Sequence, residues 1–355
     1  MQADGVPVIH ASALIEDECT NEVRESIGRE ICNACRRYGF FLLDFKEGDE
    51  RRTTSDERRA TSDERRDYGG LNRALQRLSM SRTSATHCTM DSCDVLLTFD
   101  DCAAWFARDV AVKSQCALAN GQGYQKLGLN VTQGKRDAHE ALDFFRPYPA
   151  HIPGTLKGPQ PRIGDDTLQH KVNCRAKALV RLGHVVMRAI ACGLGLSDDA
   201  FEDDIAGCPF WIMRLISSPP VCEEDVDGCK ISCGAHTDYG LLTFLEASAP
   251  GLQIQLPNTD WINVPHIPGT VVCNVGEMLA TLTNNEFAAT LHRVIRTKSD
   301  GCDARISIGF FYETNYDAVI SPIDGVAPFH AMKVSEPKYY SDFLMAKVST
   351  NFADG

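Results

Sequence analysis

The sequence predicts a mainly β protein with flanking helices: a jelly-roll core, or double-stranded β-helix, behind an α/β N-terminal region. Two observations carry that reading. In the C-terminal half, short runs rich in β-branched and aromatic residues crowd together at 210–216, 241–246, 252–256, 261–264, 270–275, 290–296 and 305–312. Turn clusters such as Pro257-Asn258-Thr259-Asp260 separate them, which suits an antiparallel double sheet. Just ahead stands one long helical pattern with Val172, Ala176, Leu179, Gly183, Val186 and Ile190 on one stripe and Lys171, Arg175 and Arg181 away from it. Such a helix braces one face of a sheet.

From the N-terminus, Val6-Pro7-Val8-Ile9 reads as a short strand, residues 22–37 as an amphipathic helix, and Tyr38-Gly39-Phe40-Phe41-Leu42-Leu43 as a buried strand after a glycine stop. A charged repeat follows, Thr54-Ser55-Asp56-Glu57-Arg58-Arg59 and Thr61-Ser62-Asp63-Glu64-Arg65-Arg66. It has no apolar periodicity and is expected to be a disordered, dispensable insertion near 49–66. Its acids match its arginines in number, which argues against nucleic-acid binding. Residues 67–101 show no family-like pattern. His139-Glu140 lacks a second ligand at helical spacing and is expected to be structural or substrate-side. Pro147, Pro149, Pro153, Pro159 and Pro161 mark a loop before the long helix. The expected organisation is an N-terminal region over 6–170, the bracing helix over 171–200, the catalytic jelly roll over 205–315 and a C-terminal segment over 316–355.

A chain of 355 residues can bury a substantial core, and its net charge of −12 lacks the clustered basic surface that nucleic acids require. No apolar run reaches 18 residues, and the first five residues do not resemble a signal-peptide n-region, so no membrane partner and a cytoplasmic location are expected. The 15 cysteines are irregularly spaced, which predicts reduced, partly buried thiols. Cys32-x-x-Cys35 lies in a helical pattern without redox-fold surroundings, and Cys222, Cys229 and Cys233 lack the paired spacing of a structural zinc site.

Chemistry concentrates between Ala235 and Ser307. If His236 and Asp238 lie on one strand, they share a face. His292 follows 54 residues after Asp238, far enough for intervening strands to return it to the same place. Two imidazoles and one carboxylate on one face of a metal leave the opposite positions open, the preference of a non-haem Fe(II) site that activates oxygen. Taken alone, a His-x-Asp is more often a surface pair or a satisfied core histidine.

The surrounding motifs strengthen the metal reading. Tyr239-Gly240-Leu241-Leu242-Thr243-Phe244-Leu245, Gly251-Leu252-Gln253-Ile254-Gln255, Trp261-Ile262-Asn263-Val264-Pro265 and Asn274-Val275-Gly276-Glu277-Met278-Leu279 precede His292 and Arg305-Ile306-Ser307. In this order the series resembles the iron(II)/2-oxoglutarate-dependent dioxygenases, and within them the branch that includes isopenicillin N synthase and plant hormone and flavonoid oxygenases. The resemblance resumes upstream at Gly123-Tyr124-Gln125-Lys126-Leu127-Gly128 and 139–147. It implies Fe(II) held by His236, Asp238 and His292, with 2-oxoglutarate and O2 as co-substrates and ascorbate left open as an accessory reductant. The planar fork of Arg305, with the Ser307 hydroxyl beside it, suits the far carboxylate of 2-oxoglutarate; the alternative is a surface ion pair, costly to leave unmade among apolar neighbours.

The reaction implied is oxidative decarboxylation of 2-oxoglutarate to succinate and CO2, coupled to hydroxylation, desaturation or ring closure of a small organic metabolite. Two departures stand out. Ile216 and Ser218 occupy the places of a co-substrate-binding Asn and Tyr, so Ser218 and Arg214 are the candidates to replace them. Asp44-Phe45-Lys46-Glu47-Gly48 stands where the family usually has an Asn-His-Gly turn. An oxidase that needs no 2-oxoglutarate and a non-catalytic ligand-binding barrel stay open as alternatives. The sequence does not specify substrate identity, set by loops over 123–161 and 316–355, or oligomeric state.

Overall fold

The computed structural model describes residues 5–16, 19–46, 69–80, 96–118, 121–221, 229–297, 303–326 and 338–348. The charged repeat and the proposed insertion at 49–66 lie outside them. Strand β1 (Val8–His10) leads through a short 3-10 turn into helix α1 (Asn21–Arg37), capped at its start by the Thr20 hydroxyl and carrying Arg36 and Arg37 in its last turn. Its buried stripe includes Ile27, Ile31 and Cys35. Gly39, at φ +65°, then turns the chain sharply into β2 (Phe40–Asp44). Every residue of β2 is buried because both faces are covered: Phe41 and Leu43 join the large core, Phe40 and Leu42 a smaller cluster inside the barrel.

Helix α2 (Gly69–Met80) lies within the stretch without a family-like pattern, and α3 (Phe99–Phe106) begins at its end. Leu71, Ala74, Leu75 and Leu78 form the inward stripe of α2 at helical spacing, and Thr98 with Asp101 closes a capping box on α3. Helix α4 (Val110–Ser114) and strands β3 (Gly123–Gln125), β4 (Val131–Thr132), β5 (Lys135–Arg136) and β6 (Glu140–Phe145) complete the approach to the long helix.

That helix, α5 (Asp166–Gly193), starts five residues before the expected boundary, with the Asp165 side chain accepting from Leu168 N at 2.9 Å. The stripe from Val172 to Ile190 is buried as expected. Arg175 departs from expectation: it lies buried against the sheet, ion-paired with Glu246 and donating to Asn72 Oδ1 at 3.0 Å. Burial of a guanidinium is tolerable only with such partners. Helices α1 and α5 touch backbone to backbone, since a Cβ at Gly28 would fall 1.9 Å from Ala189 O.

The barrel strands follow: β7 (Trp211–Ser218), β8 (Cys229–His236), β9 (Leu242–Ala247), β10 (Leu252–Gln255), β11 (Trp261–Asn263), β12 (Thr270–Val275), β13 (Leu291–Thr297) and β14 (Arg305–Tyr312), with α6 (Glu277–Leu282) between β12 and β13. One sheet runs β1-β2-β12-β9-β14-β7-β6-β3 and the other β11-β10-β13-β8. Side chains of both sheets, among them Phe40, Leu42, Leu252 and Ile254, meet across the interior. Strands β15 (Val319–Ile320) and β16 (Lys338–Tyr339) precede a C-terminal helix, α7 (Tyr340–Val348). The jelly roll is therefore present, and every predicted barrel strand falls within two residues of an observed one.

Strand β8 has no counterpart among the predicted strands. Its Ser232 is buried while Ile231 is 42 % exposed, and irregular pairing with β13 breaks the alternation that marks a strand in sequence. Cys32 and Cys35 are buried free thiols, the first pushed up to about 12 by burial, which makes a redox pair unsuitable. Cys174 is disulfide-bonded, against the expectation of reduced cysteines. Cys222 lies outside the described residues. Among those described, no helix is long and apolar enough to cross a membrane.

Candidate metal centre

His236 is the last residue of β8 and His292 the second of β13, and the two face each other directly in the antiparallel register. Their ring centroids are 4.2 Å apart. Asp238 is not on the strand with His236, as expected from spacing; it lies in the loop that follows, and the turn brings its carboxylate back under both rings. Its Oδ1 is 3.5 Å from His236 Nε2 and 3.6 Å from His292 Nε2. Among the described residues these three are the one group whose ligand atoms converge, all within 4.8 Å of one another.

Each ligand is oriented by its other atom. His236 Nδ1 meets Gly234 O at 2.8 Å and His292 Nδ1 meets Thr290 O at 3.0 Å, contacts in which each Nδ1–H donates to the carbonyl and which turn each Nε2 toward Asp238. Asp238 Oδ2 accepts from the Thr243 hydroxyl at 2.5 Å and from Asn274 Nδ2 at 2.7 Å, which leaves Oδ1 for a metal. This donor set, two imidazoles and a carboxylate with an outer shell in place, fits Fe(II) with open positions.

Electrostatics agree. Burial by itself would raise the Asp238 carboxyl, but His292 and His236 together hold it well below the usual carboxylate range. Burial, aided by the neighbouring His236, lowers His292 to about 4, so it is a neutral ligand at physiological pH. His236 moves the other way: burial disfavours its charge, yet Cys233 and Asp238 raise it well above normal. A metal at Nε2 would have to displace that proton.

A cavity of about 130 Å³ opens on His236 and Asp238 and is walled by Asn130, Asp143, Ile212, Arg214, Phe311 and Glu313. Arg214, on β7, faces it with its guanidinium bound to Asp143 Oδ1 at 2.8 Å, Gln125 Oε1 at 2.7 Å and Asn130 Oδ1 at 3.1 Å. Arg305 and Ser307 sit further along β14, outside this lining. Arg305 is buried, donates from Nε to the carbonyls of Ala249 and Pro250 at 2.9 Å each, and contacts the Ser307 hydroxyl through Nη1. Ser218 lies opposite Arg305 in the β7–β14 register, and its hydroxyl is bonded to that of Ser232. A fixed guanidinium beside a hydroxyl is a donor set suited to a carboxylate. His139 is buried with Nδ1 on Ser232 O at 2.6 Å, and Glu140 pairs with Lys113 at 2.6 Å.

Sequence reasoning missed Thr243, Asn274, Asn130, Asp143 and Glu313. A signal existed for some of them: Thr243 and Asn274 are polar residues flanked by apolar ones inside β9 and β12. Glu313 comes just after the apolar run of β14, one residue past its end. Burial pushes the Glu313 carboxyl up to about 8, with Tyr340 opposing and the Asp238 charge reinforcing the shift.

A jelly roll with this open-faced centre defines a metal-dependent oxygenase architecture, and comparison with known proteins agrees. The profile of the 2OG-Fe(II) oxygenase superfamily matches residues 211–314. Homoarginine-6-hydroxylase 2-ODD-C23 of Glycine max is 39 % identical over 250 residues, covering 66 % of this chain and 74 % of the relative. Homoarginine-6-hydroxylase 2-ODD-C23.2 of Arabidopsis thaliana is 37 % identical over 251 residues, covering 66 % and 67 %. The fold is shared with a full-length Neurospora crassa protein solved in complex with alpha-KG, at a TM-score of 0.73, 22 % identity and coverage of 99 % and 98 %. The chain belongs to the 2OG-Fe(II) oxygenase superfamily and is a 2-oxoglutarate-dependent dioxygenase that uses Fe(II).

Proposed function

We propose that this chain hydroxylates a small organic metabolite at the cavity above His236 and Asp238, with His236, Asp238 and His292 as iron ligands and Arg305 with Ser307 as the anchor of 2-oxoglutarate. The convergence of the three ligand atoms, each fixed through its other atom, carries the reading. Bound Fe(II) supplies the oxygen-activating chemistry, driven by decarboxylation of 2-oxoglutarate. The protein's part is placement. Thr243 and Asn274 hold the carboxylate, Gly234 and Thr290 carbonyls hold the imidazoles, and Ile212, Phe145 and Phe311 keep the cavity wall apolar. The homoarginine hydroxylases among the relatives make a basic amino acid the first substrate to try.

The test is metal content of purified variants beside circular dichroism. His236→Ala, Asp238→Ala and His292→Ala should each lose tightly bound iron while the barrel signal is retained. Unchanged iron stoichiometry in any of them would remove that residue from the ligand set. For the co-substrate, losing a buried, hydrogen-bonded charge pair costs on the order of 2–5 kcal/mol, so Arg305→Ala should weaken 2-oxoglutarate binding by roughly 30-fold or more. Arg305→Lys, which keeps charge without the fork, should fall between. Iron binding should be unchanged in both.

A further inference from the structure

Arg214 and Ile212 lie two residues apart on β7 and both line the cavity that opens on His236 and Asp238, whereas Met213 between them is buried in the large core. The Arg214 side chain keeps 23 % of its surface accessible, while its partner Asp143 keeps 6 %. Its guanidinium is pinned along two of its edges. Nε donates to Asp143 Oδ1, and Nη2 donates to both Gln125 Oε1 and Asn130 Oδ1. Nη1 has no hydrogen-bond partner among the described residues. A charged donor held in place on one side and open on the other is prepared for an acceptor that arrives with a ligand.

The surroundings leave room for that acceptor. The cross-strand partner of Arg214 on β14 is Gly309, which puts no side chain beside the guanidinium. A Cβ at Gly309 would meet nothing closer than 3.6 Å, so packing does not demand the glycine. Nor does the cavity repel an anion. Of the carboxyls in its wall, Asp143 is engaged by Arg214 and Gln125, and Asp238 converges with the two imidazoles. Burial pushes Glu313 up to about 8, which keeps it uncharged at neutral pH. The remaining wall is largely apolar, with Phe145, Phe311, Leu344 and Val348 beside Ile212, a surface suited to a hydrocarbon stem.

We propose that Arg214 is a specificity-determining residue whose Nη1 donates to a carboxylate of the substrate, with the substrate's stem lying along the apolar wall toward His236 and Asp238. The substrate class is thus a small carboxylic acid, selected by its anionic end rather than by any cation it carries. Charge-assisted hydrogen bonds of this kind are strongest where water is excluded. The inference rests on reading this cavity as the substrate site of an iron and 2-oxoglutarate enzyme, and it divides two guanidinium groups between two ligands: Arg305 for 2-oxoglutarate, Arg214 for the substrate.

The experiment is anaerobic calorimetry on the Fe(II)- and 2-oxoglutarate-loaded enzyme. Hexanoate, L-norleucine and L-lysine share a stem and differ in their amino groups; each is titrated beside its primary amide, hexanamide, L-norleucinamide or L-lysinamide. Wild type should bind at least one acid roughly 30-fold or more tightly than its amide. Arg214→Lys should keep part of that preference. Arg214→Gln combined with Asp143→Asn removes both charges together, so that no buried carboxylate is left unpaired, and should abolish the preference with iron and 2-oxoglutarate still bound. Wild type in which no acid outbinds its amide would overturn the proposal even if the variants did not fold. So would a preference that survives in the double variant, an equal loss of acid and amide affinity there, or loss of 2-oxoglutarate binding in Arg214→Lys. Failure of the broader reading would look different: wild type would release no succinate from 2-oxoglutarate, whatever its calorimetric preference.

Discussion

His236 and His292 are suited to hold a metal by the nitrogen they do not offer. With Nδ1 fixed on Gly234 O and Thr290 O, each ring has one direction in which to present Nε2. These residues were legible in the sequence because ligand chemistry restricts residue type and the flanking motifs restrict order. Glu313 was not, because a single glutamate just past an apolar strand reads as solvated. Its burial is created by distant chain, since Tyr340 and Leu344 of α7 lie over it from the C-terminus. A stability consequence follows from its raised carboxyl. The unfolded chain gives up this proton above about 4.5, whereas the folded protein keeps it to about 8. Stability from this group is therefore complete below pH 4.5 and is lost as pH rises through 8, at about 1.4 kcal/mol per unit of pKa difference. Glu313→Gln removes the dependence. In metal-free protein its melting temperature should match wild type near pH 5 and exceed it by several degrees at pH 8.5. Parallel curves for the two proteins across that range would show that Glu313 ionises freely.

Among the elements, the ones the sequence announced are those whose two faces differ in a regular way. The stripe of α5 and the runs of β12 and β14 were recognisable because one parity or one helical face is apolar. Strand β8 was hidden by its irregular pairing, and α2 by the charged region that precedes it, although Leu71, Ala74, Leu75 and Leu78 already had helical spacing. Close approach of elements was equally unreadable. Nothing in the sequence says that Gly28 of α1 and Gly193 of α5 meet, yet a Cβ at Gly193 would fall 2.4 Å from Gly28 O. Gly183 likewise lets α5 lie on the Tyr312 ring, where a Cβ would come within 2.3 Å. Alanine ordinarily favours a helix by about 1 kcal/mol over glycine. At Gly28 that gain should be outweighed, because backbone rather than a pliable side chain is in the way. Gly28→Ala should destabilise by about 1–3 kcal/mol, read as a lower midpoint in urea with an unchanged slope. An unchanged or higher midpoint would mean that α1 can shift along α5 without loss.

Across the whole molecule, the site joins parts of the chain that the fold would otherwise hold only through the barrel interior. His236 and His292 belong to the four-stranded sheet, Asp238 to a loop, and Arg305 to the eight-stranded sheet. Arg305 lies opposite Ser218, whereas Arg214 lies opposite Gly309, four residues along β14 and about 13 Å away at ~3.3 Å per residue. Two separate candidate anchors, Arg305 on β14 and Arg214 on β7, make ligand binding separable by stability measurement. A ligand that binds only the folded state at 100 times its Kd adds about 2.7 kcal/mol. With an unfolding entropy of roughly 2.1 cal/mol/K per residue, a chain of this length should then melt about 4 °C higher. Fe(II) under anaerobic conditions should give one such rise and 2-oxoglutarate a second. His236→Ala should lose the first. Arg305→Ala should keep the first and lose most of the second, because Arg305 is not one of the three residues whose ligand atoms converge. If the second rise instead persists in Arg305→Ala and disappears in Arg214→Ala, the far carboxylate of 2-oxoglutarate is held at the Asp143 end of the lumen. The small cavity beside Arg305, walled by Leu245, Leu252 and Val264, would then be packing rather than site.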